Sequence, residues 1–451
     1  HQAVPKSTKP LREKTMIAYQ DLSPLELKAE LSELQARYTA FKERGLKLNM
    51  ARGKPSPSQL DQAAGLLVAL PTDQRPLDSN GEDTRNYGII RGIPEACSLM
   101  AGLLGVPFAN VLVGNNSSLT LMYDTVARGM LFGLRGATPM TQQGKLRFLC
   151  PTPGYDRHFA VTEAFGFENI PIPMLDDGPD MDLVQNAVTD PTVKGIWCVP
   201  KYSNPQGITY SDTVVRRLAA LKPAAPDFRI YWDNAYSVHD LYPDSVYTAS
   251  LLDLKTACDE AGNPDIWYMF ASTSKISYAG GGISALASSE ANLAEIEAHL
   301  SIQTIGPDKV NQLRHVRWLE AIGGGEGLAL QGIHQHMRML AGMLAPKFEM
   351  VDEVLNRELA GLGVANWVKP LGGYFILLDT LPGLAKQVVA MAKDAGVVLT
   401  DAGATWPGGK DPNDSNIRIA PSYPAIEELE MACELLAICI RLAAVEQLLA
   451  G

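Results

Sequence analysis

The chain has 451 residues, 46% of them hydrophobic and 20% charged, which is enough for a large core and more than one domain. The formal net charge of −11 argues against a nucleic-acid-binding surface, because such surfaces are basic. The six cysteines form no Cys-x-x-Cys pair, and no apolar stretch is long enough to span a bilayer. We therefore expect a cytoplasmic protein with no metal site, membrane segment or nucleic-acid partner.

The N-terminal region is predicted to begin with a basic, flexible leader over residues 1–15. Ser23 and Pro24 then predict the start of a helix, with serine as the N-cap and proline in the first turn. Gly45 predicts the end of that helix. Gly53 follows in a short turn, and its local sequence indicates nothing more than a turn.

A short apolar strand over Asn110–Val113 leads through a small polar turn into a long helix predicted for Leu119–Phe132. This order of elements is the geometry that binds phosphate on the free N–H groups of a helix N-terminus. Asn and Ser are also the preferred residues for an ordinary helix cap. The turn alone leaves both interpretations open.

Strands and helices alternate between about residues 146 and 290, and the strands are continuously apolar. Such alternation predicts a parallel or mixed sheet that is covered by helices on both faces. The candidate strands are Leu146–Cys150, Gly195–Val199, Phe228–Trp232, Asp265–Phe270 and Ile283–Ala287.

Polar side chains follow these strands at the points where they end. They are Tyr155, Asn204, Asp233 with Tyr236, and Lys275 with its neighbours Ser272 and Ser274. In open α/β sheets, sites lie beyond the carboxyl ends of parallel strands, so we expect these side chains to converge on one crevice. A lysine among apolar neighbours loses its charge readily and can form a Schiff base.

The pattern changes after about residue 325. Helical periodicity covers roughly 332–359 and 425–449, a short strand is predicted at 372–378, and Arg418 lies in another short apolar strand. This arrangement is typical of a smaller α+β domain. The predicted division is an N-terminal arm with part of the small domain (1–60), a large cofactor-binding domain (61–325) and a small C-terminal domain (326–451).

Taken in order from Gly53 to Arg418, these motifs resemble the fold-type-I, pyridoxal-phosphate-dependent aminotransferases of class I, in particular their bacterial aspartate aminotransferase-like branch. The resemblance implies a three-layer α/β fold with a large, mainly parallel mixed sheet and a smaller α+β domain built from both chain ends. It also implies pyridoxal 5′-phosphate (PLP) as cofactor, a homodimer, and ping-pong transfer of an amino group between an L-amino acid, most simply aspartate, and 2-oxoglutarate.

The resemblance also assigns roles around the cofactor ring. Lys275 matches the Schiff-base lysine that also carries the proton, and Asp233 matches the carboxylate under the ring nitrogen. Tyr236 and Asn204 match the residues that bind the phenolic oxygen O3′ of the cofactor. Tyr155 matches the aromatic residue that stacks on the ring.

The cofactor phosphate is expected to be bound by four hydroxyl groups of this chain and one residue of a neighbouring subunit. By resemblance, Ser117 and Ser118 form the phosphate-binding turn, and Ser272 and Ser274 add their hydroxyls. Tyr87 resembles the tyrosine that reaches the neighbouring subunit's phosphate.

The substrate α-carboxylate is expected to bind Arg418, whose guanidinium suits a two-pronged contact, together with Gly53 and Asn204. By resemblance, His158 supports Asp233 from behind.

Two features of the family's residue pattern are not matched in this sequence. Relatives carry an arginine shortly after the lysine, where it pairs with the phosphate, whereas this chain has Gly280–Gly282. Glycine N–H groups, or a basic residue from elsewhere, are expected to replace it. The residue that reads the distal carboxylate of a dicarboxylic substrate is also open, and its candidates are Arg52, Arg91, Lys309 and Arg314.

Fold alone does not fix the reaction. A lyase or β-decarboxylase on the same fold is one alternative to a transaminase. A non-catalytic, PLP-binding sensor domain is another.

Overall fold

The structure is a computed structural model that describes residues 17–451, so the predicted leader lies outside the described residues. The helices are α1 (Pro24–Glu43), α2 (Pro57–Asp61), α3 (Pro94–Leu104), α4 (Ser118–Phe132), α5 (Asp156–Ala164), α6 (Met181–Ala187), α7 (Asp212–Ala219), α8 (Leu254–Glu260), α9 (Glu290–Gln303), α10 (Lys309–Gly323), α11 (Ala329–Leu359), α12 (Ala385–Asp394) and α13 (Ile426–Ala450). The strands are β1 (Leu48–Asn49), β2 (Val111–Val113), β3 (Arg147–Thr152), β4 (Glu168–Leu175), β5 (Gly178–Pro179), β6 (Val193–Cys198), β7 (Arg229–Asp233), β8 (Trp267–Ser272), β9 (Ser284–Ser288), β10 (Ala365–Trp367), β11 (Ile376–Thr380), β12 (Val397–Val398) and β13 (Asn416–Ile419).

The largest sheet has eight strands in the order β2-β9-β8-β7-β6-β3-β4-β5. Strands β8, β7, β6, β3 and β4 run parallel, whereas β9 and β5 are antiparallel to their neighbours. Strand β2 is antiparallel to β9 and therefore points the same way as β8. The prediction of a mixed, mainly parallel sheet is confirmed, and the carboxyl ends of its parallel strands meet at one edge.

Helices cover both faces of this sheet. Successive side chains of a strand point to opposite faces, and in β8 Trp267 and Met269 pack into one core while Tyr268 and Phe270 pack into the other. The first core contains residues of α3, α10 and α11, and the second contains residues of α4, α5 and α9. This burial on both sides explains why the strands are apolar along their whole length.

A separate core joins the two ends of the chain. Leu34 of α1, Phe348 of α11, Leu378 of β11 and Leu436 of α13 are fully buried in this one cluster. The three-stranded antiparallel sheet β10-β11-β13 belongs to the same region, and β1 pairs in parallel with β12. These contacts support a smaller unit built from both chain ends. The domain boundaries themselves remain a proposal.

Helix α11 connects the two regions. Ile333, near its start, is buried in a core of the large sheet, whereas Phe348 is buried in the core of the smaller unit. The predicted boundary at residue 325 thus falls just before a helix that both cores share.

Local details of the prediction are partly confirmed. Ser23 caps α1 through its side chain, and Glu26 completes a reciprocal capping box. The strand predicted for 372–378 begins only at Ile376, and Gly372 instead forms an isolated antiparallel bridge with Asp240. Strand β4 escaped prediction because it contains two prolines, which usually argue against a strand. No helix within residues 17–451 combines the length and apolarity needed to cross a bilayer.

Candidate active site

A cavity of about 730 Å³ opens at the carboxyl edge of the large sheet, between that sheet and the smaller unit. Nearly all of the predicted site residues line it, although they come from distant parts of the chain. They are Gly53, Ser117, Ser118, Tyr155, Asn204, Asp233, Tyr236, Ser272, Ser274, Lys275 and Arg418. The predicted convergence on one crevice is therefore confirmed, whereas the role of each residue is not thereby tested.

Lys275 lies in the turn that follows β8. Its Nζ is 5.1 Å from the ring centroid of Tyr236 and 5.7 Å from that of Tyr374. Desolvation lowers the pKa of its amine, the charge of Arg418 lowers it further, and Asp233 opposes the shift. The amine is thus biased toward the neutral form, which is the form that acts as a nucleophile or a base.

Asp233 is the last residue of β7 and is 4% exposed. Its Oδ2 lies 2.8 Å from Nε2 of His158, whose ring stacks on Trp197 with 4.5 Å between centroids. The other oxygen, Oδ1, is buried without a hydrogen-bond partner among the described residues. A buried carboxylate oxygen is costly to leave unpaired, so this atom fits a cationic or N–H-bearing ligand in the cavity.

The serines lie at two neighbouring turns. Ser117 is the N-cap of α4 and accepts a hydrogen bond from the backbone N–H of Thr120, and Ser118 begins the helix. The hydroxyl of Ser272 donates to that of Ser274 across 3.1 Å. A 15-residue helix pointing its N-terminus at the cavity, with hydroxyls opposite, suits an anion.

Gly280–Gly282 do not line this cavity, so the structure gives no support to glycine N–H groups as the replacement for the arginine, and the alternative of a basic residue from elsewhere stays open. The carbonyls of Gly281 and Gly282 accept hydrogen bonds from the side chain of Asn311, and the N–H of Gly281 donates to Tyr278. These bonds tie the turn to α10. Gly280 and Gly281 instead border a second cavity of about 370 Å³ that also contains Arg314.

Three further predicted residues surround the lysine. Tyr155 begins α5 with its ring edge-on to His158, and burial raises its pKa to about 12. Tyr236 is 3% exposed, and burial raises its pKa well above the usual value. Both hydroxyls are therefore hydrogen-bond donors at neutral pH. Asn204 uses its Oδ1 to accept from Arg418, which leaves its amide N–H groups available to the cavity.

Arg418 lies in β13 and is buried, with 7% of its side chain exposed. Its Nη1 donates to Asn204 Oδ1 and to Asp156 Oδ1, each at 3.2 Å. Its Nε and Nη2 approach the hydroxyl of Thr400 at 3.4 and 3.3 Å. The ring of Phe375 lies 4.8 Å from the guanidinium carbon. Four segments of the chain thus fix one guanidinium.

Gly53 has a steric reason to be glycine. A β-carbon at this position would lie 2.5 Å from the ring of Phe375, the same ring that packs against Arg418. Gly53 therefore allows Phe375, and through it Arg418, to take its position.

The structure distinguishes among the four basic residues that are candidates for binding the distal carboxylate of a substrate. Arg91 is paired with Glu297, and neither Lys309 nor Arg314 lines the main cavity. Arg52 does line it.

Two cations that the sequence interpretation did not single out line the cavity as well, Lys54 and Arg157. Within residues 17–451, Arg52, Lys54 and Arg157 form no salt bridge with a carboxylate. Their charges are therefore available to a ligand.

Tyr87 is the predicted residue that the cavity does not contain. It is 82% exposed on the surface of the single chain, in a turn beside Gly88. This position neither supports nor excludes a contribution to another subunit.

Sequence reasoning missed several residues of the site. Asp156, Thr400 and Phe375 line the cavity and contact Arg418. Tyr374 lies beside Lys275, and His239 packs edge-on against Tyr374 with 5.8 Å between centroids. Only Asp156 had a sequence signal, as a carboxylate next to a predicted site residue; the others lie in segments with no motif.

Comparison with known proteins identifies the class of this protein as a PLP-dependent class I aminotransferase. A family model described as aspartate amino-transferase matches residues 22–451. The chain belongs to this aspartate aminotransferase family, and the resemblance, the fold and the transaminase class expected from the sequence are confirmed.

Individual relatives support the same family assignment. The chain is 45% identical to an aspartate aminotransferase of Corynebacterium glutamicum over 92% of this chain and 93% of that protein. The crystal structure of an aspartate transaminase from the same species has a TM-score of 0.91 at 44% identity, covering 96% of this chain and 99% of that one. LysN, an α-aminoadipate aminotransferase from Thermus thermophilus, shares the fold at 19% identity, with a TM-score of 0.69 and coverage of 95% and 100%.

Proposed function

We propose that the protein transfers the amino group of an L-amino acid, aspartate in the first place, to 2-oxoglutarate, with PLP held in the 730 Å³ cavity. The unpaired Oδ1 of Asp233 is the observation that carries the cofactor assignment, because a protonated pyridine nitrogen is the partner it lacks. The family implies the same cofactor, and the distant relative LysN was solved with a phosphopyridoxyl-leucine adduct.

The cofactor would be held by residues already in place. Asp233 would keep the ring nitrogen protonated, Tyr155 would cover one face of the ring, and Tyr236 and Asn204 would donate hydrogen bonds to its phenolic oxygen. The phosphate would accept hydrogen bonds at the α4 N-terminus and from the serine hydroxyls listed above. When bound, PLP supplies an electrophilic carbonyl carbon for the amine and a ring that withdraws electrons from the substrate Cα.

The protein's own part is to bind, orient and move a proton. Arg418 holds the α-carboxylate, so that the Cα–H bond is turned toward Lys275. The Nζ of Lys275, whose pKa is lowered by burial, would take the proton from the substrate Cα and would deliver it to the C4′ carbon of the cofactor. The same groups act in reverse order on the keto acid, which gives a ping-pong cycle.

A dicarboxylic substrate is supported by the charges at the cavity wall. Arg52, Lys54 and Arg157 offer three positive charges, against one carboxylate there, Asp401, that makes no salt bridge within residues 17–451. A second carboxylate on the substrate would complement this excess, and the name of the Corynebacterium glutamicum relative agrees.

The test is a panel of half-reactions. Purified holoenzyme is mixed with each amino acid in excess, and the absorbance of the cofactor is followed. We expect aspartate and glutamate to convert the aldehyde form to the amine form faster than any neutral amino acid. No spectral change with any amino acid would rule out transamination. Stoichiometric alanine from aspartate, formed without a keto acid, would instead indicate a β-decarboxylase.

We also propose a homodimer in which Tyr87 completes the neighbouring cofactor site. Its exposure of 82% on the isolated chain supports this, because the ring is accessible to a neighbouring subunit. Mixing inactive Lys275→Ala with Tyr87→Ala subunits tests it. If Tyr87 acts across the interface, hybrid dimers contain one intact site and regain activity. If it acts within its own chain, or the protein is monomeric, mixing restores nothing.

A further inference from the structure

The guanidinium of Arg418 already has hydrogen-bond acceptors within the protein. Its Nη1 already donates to two oxygens, that of Asn204 and that of Asp156, at equal distances of 3.2 Å. The opposite side, Nε with Nη2, shares the single hydroxyl of Thr400. A carboxylate that binds a guanidinium in two-pronged fashion needs two parallel N–H groups. The Nη1–Nη2 side can offer them only if Nη1 gives up one of its present acceptors.

The two acceptors differ in their freedom to leave. Asn204 is 4% exposed and held beneath the cavity. The side chain of Asp156 is 34% exposed, and its Oδ2 has no hydrogen-bond partner within the described residues. Asp156 also lies in the first turn of α5, where a carboxylate is favoured even without a salt bridge. Moving Asp156 aside therefore costs much less than moving Asn204.

From this geometry we infer that Asp156 occupies the place of the substrate α-carboxylate on Arg418, and that every carboxylate ligand binds by displacing it. The inference rests on the proposed role of Arg418 and goes beyond it. Asp156 is a positioning residue that keeps a buried guanidinium paired while the site is free. It also sets an upper limit on the affinity for amino acids and keto acids alike.

This arrangement has a consequence for kinetics. A competitor that must leave before any substrate binds weakens ground state and transition state by the same amount. It raises KM without lowering kcat, for both halves of the cycle. Weaker binding also lets the product leave readily, which matters for an enzyme that must exchange two ligands on one site in each turnover.

The test compares Asp156→Asn with Asp401→Asn in the holoenzyme. Asp401 lines the same cavity but makes no salt bridge with Arg418 or any other described residue, so its replacement removes an equal charge without removing a competitor. The ligands are succinate and propionate, which have carboxylates but neither an amino nor a keto group. Their dissociation constants are measured by calorimetry, independently of turnover.

We expect Asp156→Asn to tighten succinate binding about tenfold, the worth of one charge-assisted hydrogen bond. Propionate binding should tighten by the same factor, because the competition concerns the carboxylate that both ligands share. In steady state, KM for the amino acid and for the keto acid should fall together while kcat stays within about twofold. Asp401→Asn should change propionate binding by less than about twofold, because propionate has no second carboxylate that would respond to the charge of the cavity wall.

Unchanged or weaker binding in Asp156→Asn would overturn the inference, as would an equal gain in Asp401→Asn, which would indicate a general charge effect. Failure of all three proteins to bind either carboxylate would overturn it too, because Arg418 would then not be a carboxylate site. These outcomes differ from failure of the transaminase proposal, which appears as an unresponsive cofactor spectrum while carboxylates still bind.

Discussion

The cavity has two walls, and they differ in whether their polar groups already have hydrogen-bond partners in the protein. The sheet wall, formed by Ser117, Asp233, Ser272 and Lys275, lies at the carboxyl edge of the large sheet, and two of its polar groups lack partners. Asp233 has one unpaired buried oxygen, and the amine of Lys275 makes no hydrogen bond to a described residue. The arm wall, formed by Gly53, Thr400 and Arg418, comes from the two chain ends.

On the arm wall the central group is already satisfied, because Arg418 donates to three side chains of the protein. A buried polar group without a partner favours a ligand that remains bound, because loss of that ligand would leave the group buried and unpaired again. Satisfied groups favour a ligand that comes and goes, since the protein's own acceptors take its place. The difference matches a resident cofactor on the sheet wall and exchanging substrates on the arm wall.

The largest effect should come from the sheet wall. Lys275→Ala removes the residue proposed as nucleophile and proton carrier, so we expect kcat/KM to fall by at least about 10⁴-fold. Bound cofactor should remain as a noncovalent aldehyde with a changed absorbance spectrum. Lys255→Ala, which alters a surface lysine paired with Asp259, serves as the control. Substantial activity in Lys275→Ala would refute the assignment of the central lysine.

The next effect should come from the arm wall. Arg418→Ala should raise KM for amino and keto acids by about 10²- to 10³-fold, because it removes a two-pronged charged contact. The dissociation constant of the cofactor, measured by fluorescence titration of the apoenzyme, should change by less than about threefold, an expectation from the separation of the two walls. If cofactor affinity fell more than substrate affinity, the two walls would not be separate in function.

A smaller effect on the same wall is expected from Gly53→Ala. The added methyl group overlaps the ring of Phe375, and this ring packs against Arg418. We expect KM to rise about tenfold, with cofactor binding unchanged. Gly280→Ala is a matched control, since a β-carbon there meets no atom within 4 Å. Equal effects of the two variants would show that Phe375 does not transmit the change.

The smallest effect concerns stability and lies behind the sheet wall. Burial lowers the pKa of His239 to about 3, and neither of its ring nitrogens has a hydrogen-bond partner within residues 17–451. An unfolded histidine titrates near 6.5, so the unfolded chain binds one more proton between pH 6.5 and pH 3. The contribution of His239 to native stability is complete above about pH 6.5 and is lost as pH falls toward 3.

Replacing His239 by Gln should therefore reduce the slope of the free energy of unfolding against pH on the acid side. The expected reduction corresponds to about one proton, or about 1.4 kcal/mol per pH unit. Urea unfolding between pH 4 and pH 7 measures this slope. His299→Gln, at a partly exposed position, is the control. An unchanged slope in the His239 variant would mean that this histidine takes up its proton in the native state.

The sheet wall could be predicted from the sequence because the order of strands and polar turns places its residues. The carboxyl ends of β3, β6, β7 and β8 each include or are followed by an informative side chain, such as Asp233 or Lys275, and the edge of the sheet brings these side chains together. The arm wall could be predicted only for Gly53 and Arg418, and only by resemblance. The pairing of Arg418 with Asp156 joins positions 262 residues apart, and Thr400 and Phe375 reach Arg418 through the packing of the smaller unit, not through a sequence motif. No local pattern records such contacts, and the same holds for the position of the glycine turn.

The smaller unit imposes an order on biosynthesis. Helix α1 is made early, but its buried residues Leu27 and Leu34 pack in a core whose centre is α13. At ordinary rates of translation, roughly 20 to 80 s separate the emergence of these two helices from the ribosome. During that time the apolar face of α1 lacks its partner α13, whereas the strands of the large sheet emerge and can pair with one another. The early helix is therefore the segment that a ribosome-associated chaperone would be expected to shield.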